Sequence, residues 1–311
     1  MAAPAYGSGA QPFVWQPHSL QELQSIREQL QGAWCYTAGA TLLRTQWEAE
    51  LKALPQHLVS LSCIPEMSGI TVQGDYIVIG AMTQLKACAA SPLVQQLSIL
   101  HEAVLAIAAP SVRNLATIGG NIASGIGDTL PALLVYDAEL QWMTCHGMEI
   151  QPVTAWLLDG GIRGRREEDV LVSVHIPKHQ DREGGSFPSQ AHSSPVPARK
   201  REVAFYRKLG RREVFTASLV TVALFGEINL ENGRWERIAI AAGGGSGLAM
   251  RLTESEQLLR SGSAEAAQAP MLAAQVMAEF TTYTDVFATE DYRKQAAGNM
   301  LGAELWQVFQ P

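Results

Sequence analysis

The chain has 311 residues, enough for two domains that each bury a core. Hydrophobic residues make up 47% and charged residues 17%, with a net charge of −7, which describes a globular protein without the basic surplus of a nucleic-acid binder. No apolar run reaches the about 18 residues of a membrane-spanning helix, and Met1 to Gln11 lacks the positive charge and apolar stretch of a signal peptide, so a cytoplasmic protein is expected.

In chain order, Ser19-Leu20-Gln21-Glu22 is a capping box, and Leu20, Leu23, Ile26 and Leu30 continue one apolar face, which predicts a helix over 19–30. Trp34 to Ala38 reads as a short strand that runs into a loop at Gly39. Leu58–Leu61 and Tyr76–Gly80 are strand-like, with Gly74-Asp75 as a turn. Val94, Leu97, Leu100, Val104 and Ile107 predict a single long helix, which Pro110 breaks.

The segment that follows is rich in small residues: Ala108-Ala109-Pro110-Ser111-Val112-Arg113-Asn114-Leu115-Ala116-Thr117-Ile118-Gly119-Gly120-Asn121-Ile122, then Gly125, Gly127 and Asp128. Gly119 and Gly120 admit backbone conformations closed to other residues, and Thr117 and Asn121 place a hydroxyl and an amide beside them. Open N–H groups in such a setting suit a phosphate or pyrophosphate; a tight turn between buried elements is the alternative. Asp128 is placed to cap a helix through Leu133, Leu134 and Tyr136.

Glu139–Met143 alternates as a strand, Thr154–Leu158 as a short helix and Val170–Ile176 as a further strand. Arg163, Arg165 and Arg166 are followed at once by Glu167, Glu168 and Asp169, which reads as a solvated turn. From 178 to 201 the composition changes to Pro, Gly, Ser and His, a flexible linker that includes His179 and His192. Val214–Phe225 and Trp235–Ala241 are strand-like, with Glu231 to Arg234 as a hairpin turn. Thr253–Arg260, Ala264–Phe280 and Thr289–Phe309 are helical in pattern. Gly243-Gly244-Gly245-Ser246-Gly247 lacks the Lys-Ser/Thr of a nucleotide-binding loop and reads as a structural turn. Cys35, Cys63, Cys88 and Cys145 are scattered, so neither metal ligation nor a disulfide framework is expected.

The Ala108 to Asp128 string resembles the second FAD-binding loop of the flavoprotein subunit of molybdenum hydroxylases, the family of xanthine dehydrogenase and carbon monoxide dehydrogenase. Tyr36-Thr37-Ala38-Gly39-Ala40-Thr41-Leu42-Leu43 is similar to the family's first flavin loop. Asp169 to Pro177 is similar to the strand that closes its FAD domain, and Phe205 to Arg212 to the entry of its C-terminal domain. Gly243 to Glu256 and Asp285 through Arg293 match later landmarks in the same order.

The resemblance implies an α+β chain: a two-part PCMH-type FAD-binding domain over 1–177, the linker 178–201, and a small α+β domain over 202–311 with a three-stranded antiparallel sheet plus helices. It implies FAD as cofactor, held at the pyrophosphate by Thr37, Ala38, Gly39, Ala40, Thr41 and Leu42 and by Thr117, Gly119, Gly120 and Asn121, with backbone N–H groups as the main donors. Asp128 matches a position that binds ribityl or ribose hydroxyls, and Leu171 one that packs beside the adenine or the flavin ring.

Lys208, ahead of Arg207, is expected to set a positive charge near the pyrimidine edge of the flavin. Ala40 stands where the family usually has Gly or Asn. Ala108 stands where some relatives carry an aromatic against the flavin, and Tyr206 is the candidate substitute. No catalytic side chain and no metal ligand is expected in this chain, because a flavin brings its own redox chemistry.

The implied partners are a molybdopterin-binding subunit and a [2Fe-2S] subunit, with NAD or another acceptor receiving the electrons. The segment from Phe205 leans toward xanthine dehydrogenase. A stand-alone FAD/NADPH reductase and a flavin-free structural subunit of the same fold are the competing readings.

Overall fold

The computed structural model describes residues 11–178, 200–211, 217–245 and 247–310. The linker expected at 178–201, with His179 and His192, falls almost wholly outside the described residues. Lys178 still follows a strand, its N–H donating to Asp75 O, and Lys200 already begins the next one.

The N-terminal part opens with β1 (Phe13–Trp15), α1 (Leu20–Gln29), β2 (Trp34–Thr37), α2 (Thr41–Glu48) and β3 (His57–Ser60), and its three strands form a parallel sheet in the order β1-β3-β2. Ser19 caps α1 by accepting from Glu22 N. Glu22 returns a bond to the N–H of His18 rather than to Ser19 itself.

A second layer follows with β4 (Ile70–Gln73), β5 (Tyr76–Gly80), α3 (Leu85–Ala90), α4 (Pro92–Gln95), α5 (Ser98–Ala106), α6 (Pro110–Arg113), α7 (Ile118–Ala123) and α8 (Leu130–Val135). It closes with β6 (Glu139–Thr144), β7 (Gly147–Pro152), α9 (Val153–Leu158) and β8 (Val170–Pro177). Its antiparallel sheet has the order β4-β5-β8-β6-β7.

Three local expectations need correction. The apolar run from Val94 to Ile107 is not one helix: Gln96 ends α4 and Leu97, in a non-helical conformation, starts α5. Pro110 opens α6 at its first position, where its missing N–H costs nothing, and the chain turns earlier, at Ala108 with φ 41°. Thr129, not Asp128, is the N-cap of α8.

The C-terminal domain comprises β9 (Lys200–Gly210), β10 (Ser218–Asn229), β11 (Arg234–Gly244), β12 (Gly247–Arg251), α10 (Thr253–Ser261), α11 (Gln268–Glu279) and α12 (Glu290–Val308). Its antiparallel sheet has four strands, in the order β12-β11-β10-β9, where three were expected. The fourth strand is the short segment just beyond the glycine run, folded back as a hairpin on β11.

Side chains alternate across this sheet, so its two faces serve two cores. Val203, Val220, Val222, Leu224 and Ile240 pack under α10–α12. Tyr206, Ala223, Phe225, Ala239 and Ala241 join the core of the N-terminal domain. The sheet is therefore the shared wall of both domains. At its edge, Arg251 reaches across to Leu134 O at 3.0 Å and Asp137 at 2.6 Å, and is itself held by Glu256 at 2.7 Å.

Glu256 is 3% exposed, and its Oε1 also accepts from Ile240 N at 2.9 Å. Glu256→Ala leaves the partly shielded Arg251 guanidinium with Leu134 O and Asp137 alone and the buried Ile240 amide without its acceptor, and is expected to cost about 3 kcal/mol. Urea unfolding with an unchanged slope and a lower midpoint is the expected record; an unchanged midpoint contradicts it.

Candidate functional site

The parallel sheet ends at Thr37, whose carbonyl accepts from Leu61 N, and Ala38-Gly39-Ala40 then turn into α2. Gly39 sits where this loop meets the segment around Leu115. A Cβ on Gly39 would lie 1.9 Å from Leu115 O, so only glycine allows the two layers to touch here. Ala40 is left-handed, with φ 51°. That conformation, rather than a side-chain amide contact, is a physical reason for Gly or Asn at this position.

Beyond it, the N–H groups of Gly39, Ala40, Thr41, Leu42 and Leu43 meet no acceptor among the described residues. They stand at the positive end of the α2 dipole. Open donors at a helix start suit an anionic phosphate group.

The second loop is built differently. Ile118 N donates to Thr83 O, Gly119 N to Ala81 O, Gly120 N to Thr117 Oγ1 and Asn121 N to Thr117 O. The expectation that these N–H groups are main donors is therefore corrected: those of Ile118 and Gly119 are spent on seating α7 against the segment just after β5, and those of Gly120 and Asn121 on the first turn of α7 at Thr117. What the loop contributes is room. Gly119 presses on Ala81, where a Cβ would approach within 2.6 Å, while Gly120 is exposed and faces Ala38. Asn121 Oδ1 is taken by Thr129, with Oγ1 at 2.6 Å, which leaves its NH2 group without an acceptor among the described residues. Arg113 Nη1 grips the carbonyls of Ile107 and Ala108, both at 2.7 Å, and holds the left-handed turn at Ala108.

Asp128 lies where the two domains join. Its Oδ2 accepts from Lys208 Nζ at 2.7 Å and its Oδ1 from Ser218 Oγ at 2.6 Å. Its carbonyl accepts from Tyr206 OH at 3.0 Å. Both side chains of the Asp128–Lys208 pair are 11% exposed, so the ion pair is well shielded from water. Lys208 Nζ also donates to Ala106 O at 2.9 Å, which leaves one of its three N–H donors.

Arg207, the second choice for a cation at this site, points away and is held by Glu304 and Glu102. Tyr206 cannot replace a stacking aromatic: it is 3% exposed, its hydroxyl is spent on Asp128 O, and burial together with the Asp128 charge pushes its pKa well above the usual phenol value. Leu171 is a core residue of β8, 5% exposed, next to Val172, whose carbonyl accepts from the Ala81 N–H beneath Gly119.

Ser218 is the residue of this junction that the sequence did not reveal, since nothing local marks a serine at the start of an apolar strand. Within the Arg163–Arg166 run, expected as a solvated turn, Arg165 is largely shielded: it is held by Glu149 and Asp169 and lies over Trp142. A cavity of about 500 Å³ beside it, lined by Cys145, Trp156 and Asp169 among others, lies apart from the glycine loops. Among the described residues, no helix is long and apolar enough to cross a membrane, and no cluster of three or more potential metal ligands occurs.

Residues 8–179 match the family described as the FAD binding domain in molybdopterin dehydrogenase, and residues 204–307 match the CO dehydrogenase flavoprotein C-terminal domain. The chain is 36% identical over 138 residues to the carbon monoxide dehydrogenase medium chain of Hydrogenophaga pseudoflava, covering 43% of this chain and 48% of that one. It is 27% identical over 206 residues to the putative xanthine dehydrogenase FAD-binding subunit XdhB of Escherichia coli (strain K12), covering 65% and 64%. The matched stretch thus spans about half to two thirds of these relatives' length.

Among solved structures, a carbon monoxide dehydrogenase from Hydrogenophaga pseudoflava that lacks the Mo-pyranopterin moiety superposes with a TM-score of 0.81 at 25% identity, covering 96% of this chain and 99% of that one. Quinoline 2-oxidoreductase from Pseudomonas putida 86, at 19% identity and a TM-score of 0.78 with 96% of each chain covered, shares the fold.

Neighbouring positions of the first loop are expected to respond with opposite signs. Gly39→Ala forces the layers apart at a backbone contact and is expected to cost about 3 kcal/mol. Ala40→Gly relieves the left-handed strain and is expected to add about 0.5–1 kcal/mol. Thermal unfolding of the two variants checks this; a shift of the same sign in both contradicts the assignment.

Proposed function

Because the chain belongs to the family of FAD-binding domains of molybdopterin dehydrogenases, we propose that it is the FAD-carrying electron-transfer subunit of a molybdenum hydroxylase. It would take electrons from a [2Fe-2S] subunit and pass them to NAD or another acceptor, and a molybdopterin subunit would oxidise the substrate. The observation that carries this reading is the row of open N–H donors from Gly39 to Leu43, in the loop whose Ala38 lies next to Gly120.

Within the Thr37–Leu42 loop the N–H groups from Gly39 onward would hold the pyrophosphate, with the free amide of Asn121 and the hydroxyl proton of Thr117 as further donors. Each oxygen of Asp128 keeps a lone pair beyond its bond to Lys208 or Ser218, enough to accept from a sugar or ribityl hydroxyl. The remaining Lys208 donor would place a positive charge at the pyrimidine edge, held from one side by Asp128 and from the other by Ala106 O. Ala108 would offer only a methyl group where some relatives have a ring, and Leu171 would support the cleft from the core. Bound FAD supplies the redox chemistry, so the protein's task is binding, orientation and charge.

The substrate we propose is a purine of the xanthine type, supported by the segment from Phe205 and by the likeness to the E. coli subunit. Assembly of the chain with its [2Fe-2S] and molybdopterin partners tests the proposal. Xanthine-dependent reduction of NAD, lost when this chain is left out, is expected. Undiminished NAD reduction without the chain contradicts its role as the electron outlet, and reduction by carbon monoxide but not by xanthine contradicts the substrate.

A further inference from the structure

We infer that Ser218 is a positioning residue that fixes the Asp128–Lys208 pair and thereby sets the potential of the flavin, a role that rests on the placement of Lys208 at the pyrimidine edge. The first ground is an irregularity of the sheet. Along β10 the register against β9 runs Ala223↔Tyr206, Thr221↔Lys208 and Val220↔Leu209, and then skips to Ser218↔Gly210. One residue, Leu219, is extra on β10. Such a bulge reverses the side-chain alternation beyond it.

Without the bulge, Leu219 would continue the face of Ala223 and Phe225, and Ser218 would turn toward the helices. With it, Leu219 packs against the core under the helices, and the Ser218 hydroxyl comes onto the face that carries Lys208. The insertion puts a hydroxyl, instead of a leucine, against the Asp128 carboxylate at 2.6 Å.

The second ground is that the hydroxyl is oriented. Gly245 N donates to Ser218 Oγ at 3.3 Å, so the oxygen accepts from the turn while its proton is directed at Asp128 Oδ1. The glycine-rich turn between β11 and β12 is shaped for this approach. Gly244 has φ 113°, and a Cβ there would lie 2.8 Å from Val220 Cα; a Cβ on Gly245 would strike the Tyr283 hydroxyl at 2.1 Å. Arg293, 1% exposed and paired with Asp285 at 2.8 Å, lies beneath the same turn. A rigid support thus presents one amide to one serine, and that serine, 5% exposed, to one buried carboxylate.

With Ser218 in place, the Asp128 charge is shared between a hydroxyl and Lys208. Without it, the carboxylate draws the Lys208 ammonium more strongly to itself and away from the cleft. Less positive charge then reaches the flavin, and its reduction becomes harder.

The test is the midpoint potential of FAD in the full-length chain, measured by equilibration with a reference dye, together with the FAD dissociation constant. Ser218→Ala is expected to lower the ratio of reduced to oxidised FAD at a fixed potential by about fivefold, the equivalent of one ordinary hydrogen bond. Ser218→Thr, which keeps the hydroxyl, is expected to hold the wild-type ratio. Lys208→Met is expected to lower the ratio further, and Ser218→Ala to add nothing in that background.

A Lys208→Met shift with no Ser218→Ala shift overturns the role of Ser218 alone. No shift in Lys208→Met overturns the placement of Lys208 and the inference with it. Equal effects of Ser218→Ala with and without Lys208 overturn action through the pair. Should Ser218→Ala fail to retain FAD, Ser218→Cys is read on the same scale, where a smaller shift of the same sign supports the inference and none overturns it.

Discussion

The ion pair between Asp128 and Lys208 is the constraint on which the arrangement of this molecule depends. Asp128 belongs to the glycine loop of the N-terminal domain, and Lys208, Ser218 and Tyr206 belong to the sheet of the C-terminal domain. A buried pair of opposite charges is seldom a net gain over a well-packed apolar contact, because both ions leave water. Its value lies in geometry: the charges, the hydroxyl and the phenol are satisfied in one relative placement of the domains. The apolar contacts of Phe225 and Ala239 with the N-terminal core tolerate small slides that the polar junction does not.

The two glycine loops differ in what they leave open. The first keeps its N–H groups open at the start of α2, and the second spends its own on packing and gives space instead. The contact of Gly39 with Leu115 O ties the donors to the space, since neither layer can shift without the other. Ala40 and Ala108 carry left-handed backbone in that region at a cost of about 1–2 kcal/mol each. The cost at Ala108 is met by Arg113, which ties down both carbonyls of the turn. Strain held by surrounding bonds at a ligand site is a common pattern, and both strained residues belong to the segments proposed to hold the flavin.

Much of this was legible in the sequence. The capping residue Ser19, the strands around Tyr76 and Val170, the glycine loops and the two-domain order all depend on local periodicity or on strings of special residues. Asp128 and Lys208 were each picked out singly, and the structure brings them together. What was not legible depends on pairing between distant segments. The break at Leu97 follows from packing, because every apolar residue there fits a continuous helix. The fourth strand at Gly247 needs β11 to be recognised, and Ser218 faces Asp128 because of a bulge that no residue type announces. The donor role of the second loop was misread for a related reason: whether an N–H is free is decided by Thr83 and Ala81, far away in the chain.

If the Asp128 junction both joins the domains and shapes the proposed flavin cleft, the charge of Asp128 governs FAD binding. The FAD dissociation constant of Asp128→Asn against that of the unaltered chain is the measurement to make, since asparagine keeps the shape and an acceptor for Ser218 but removes the charge that holds Lys208. FAD binding is expected to weaken at least about tenfold, the equivalent of one charge-assisted hydrogen bond, with unchanged secondary structure. Unaltered FAD affinity in a folded Asp128→Asn protein would contradict it.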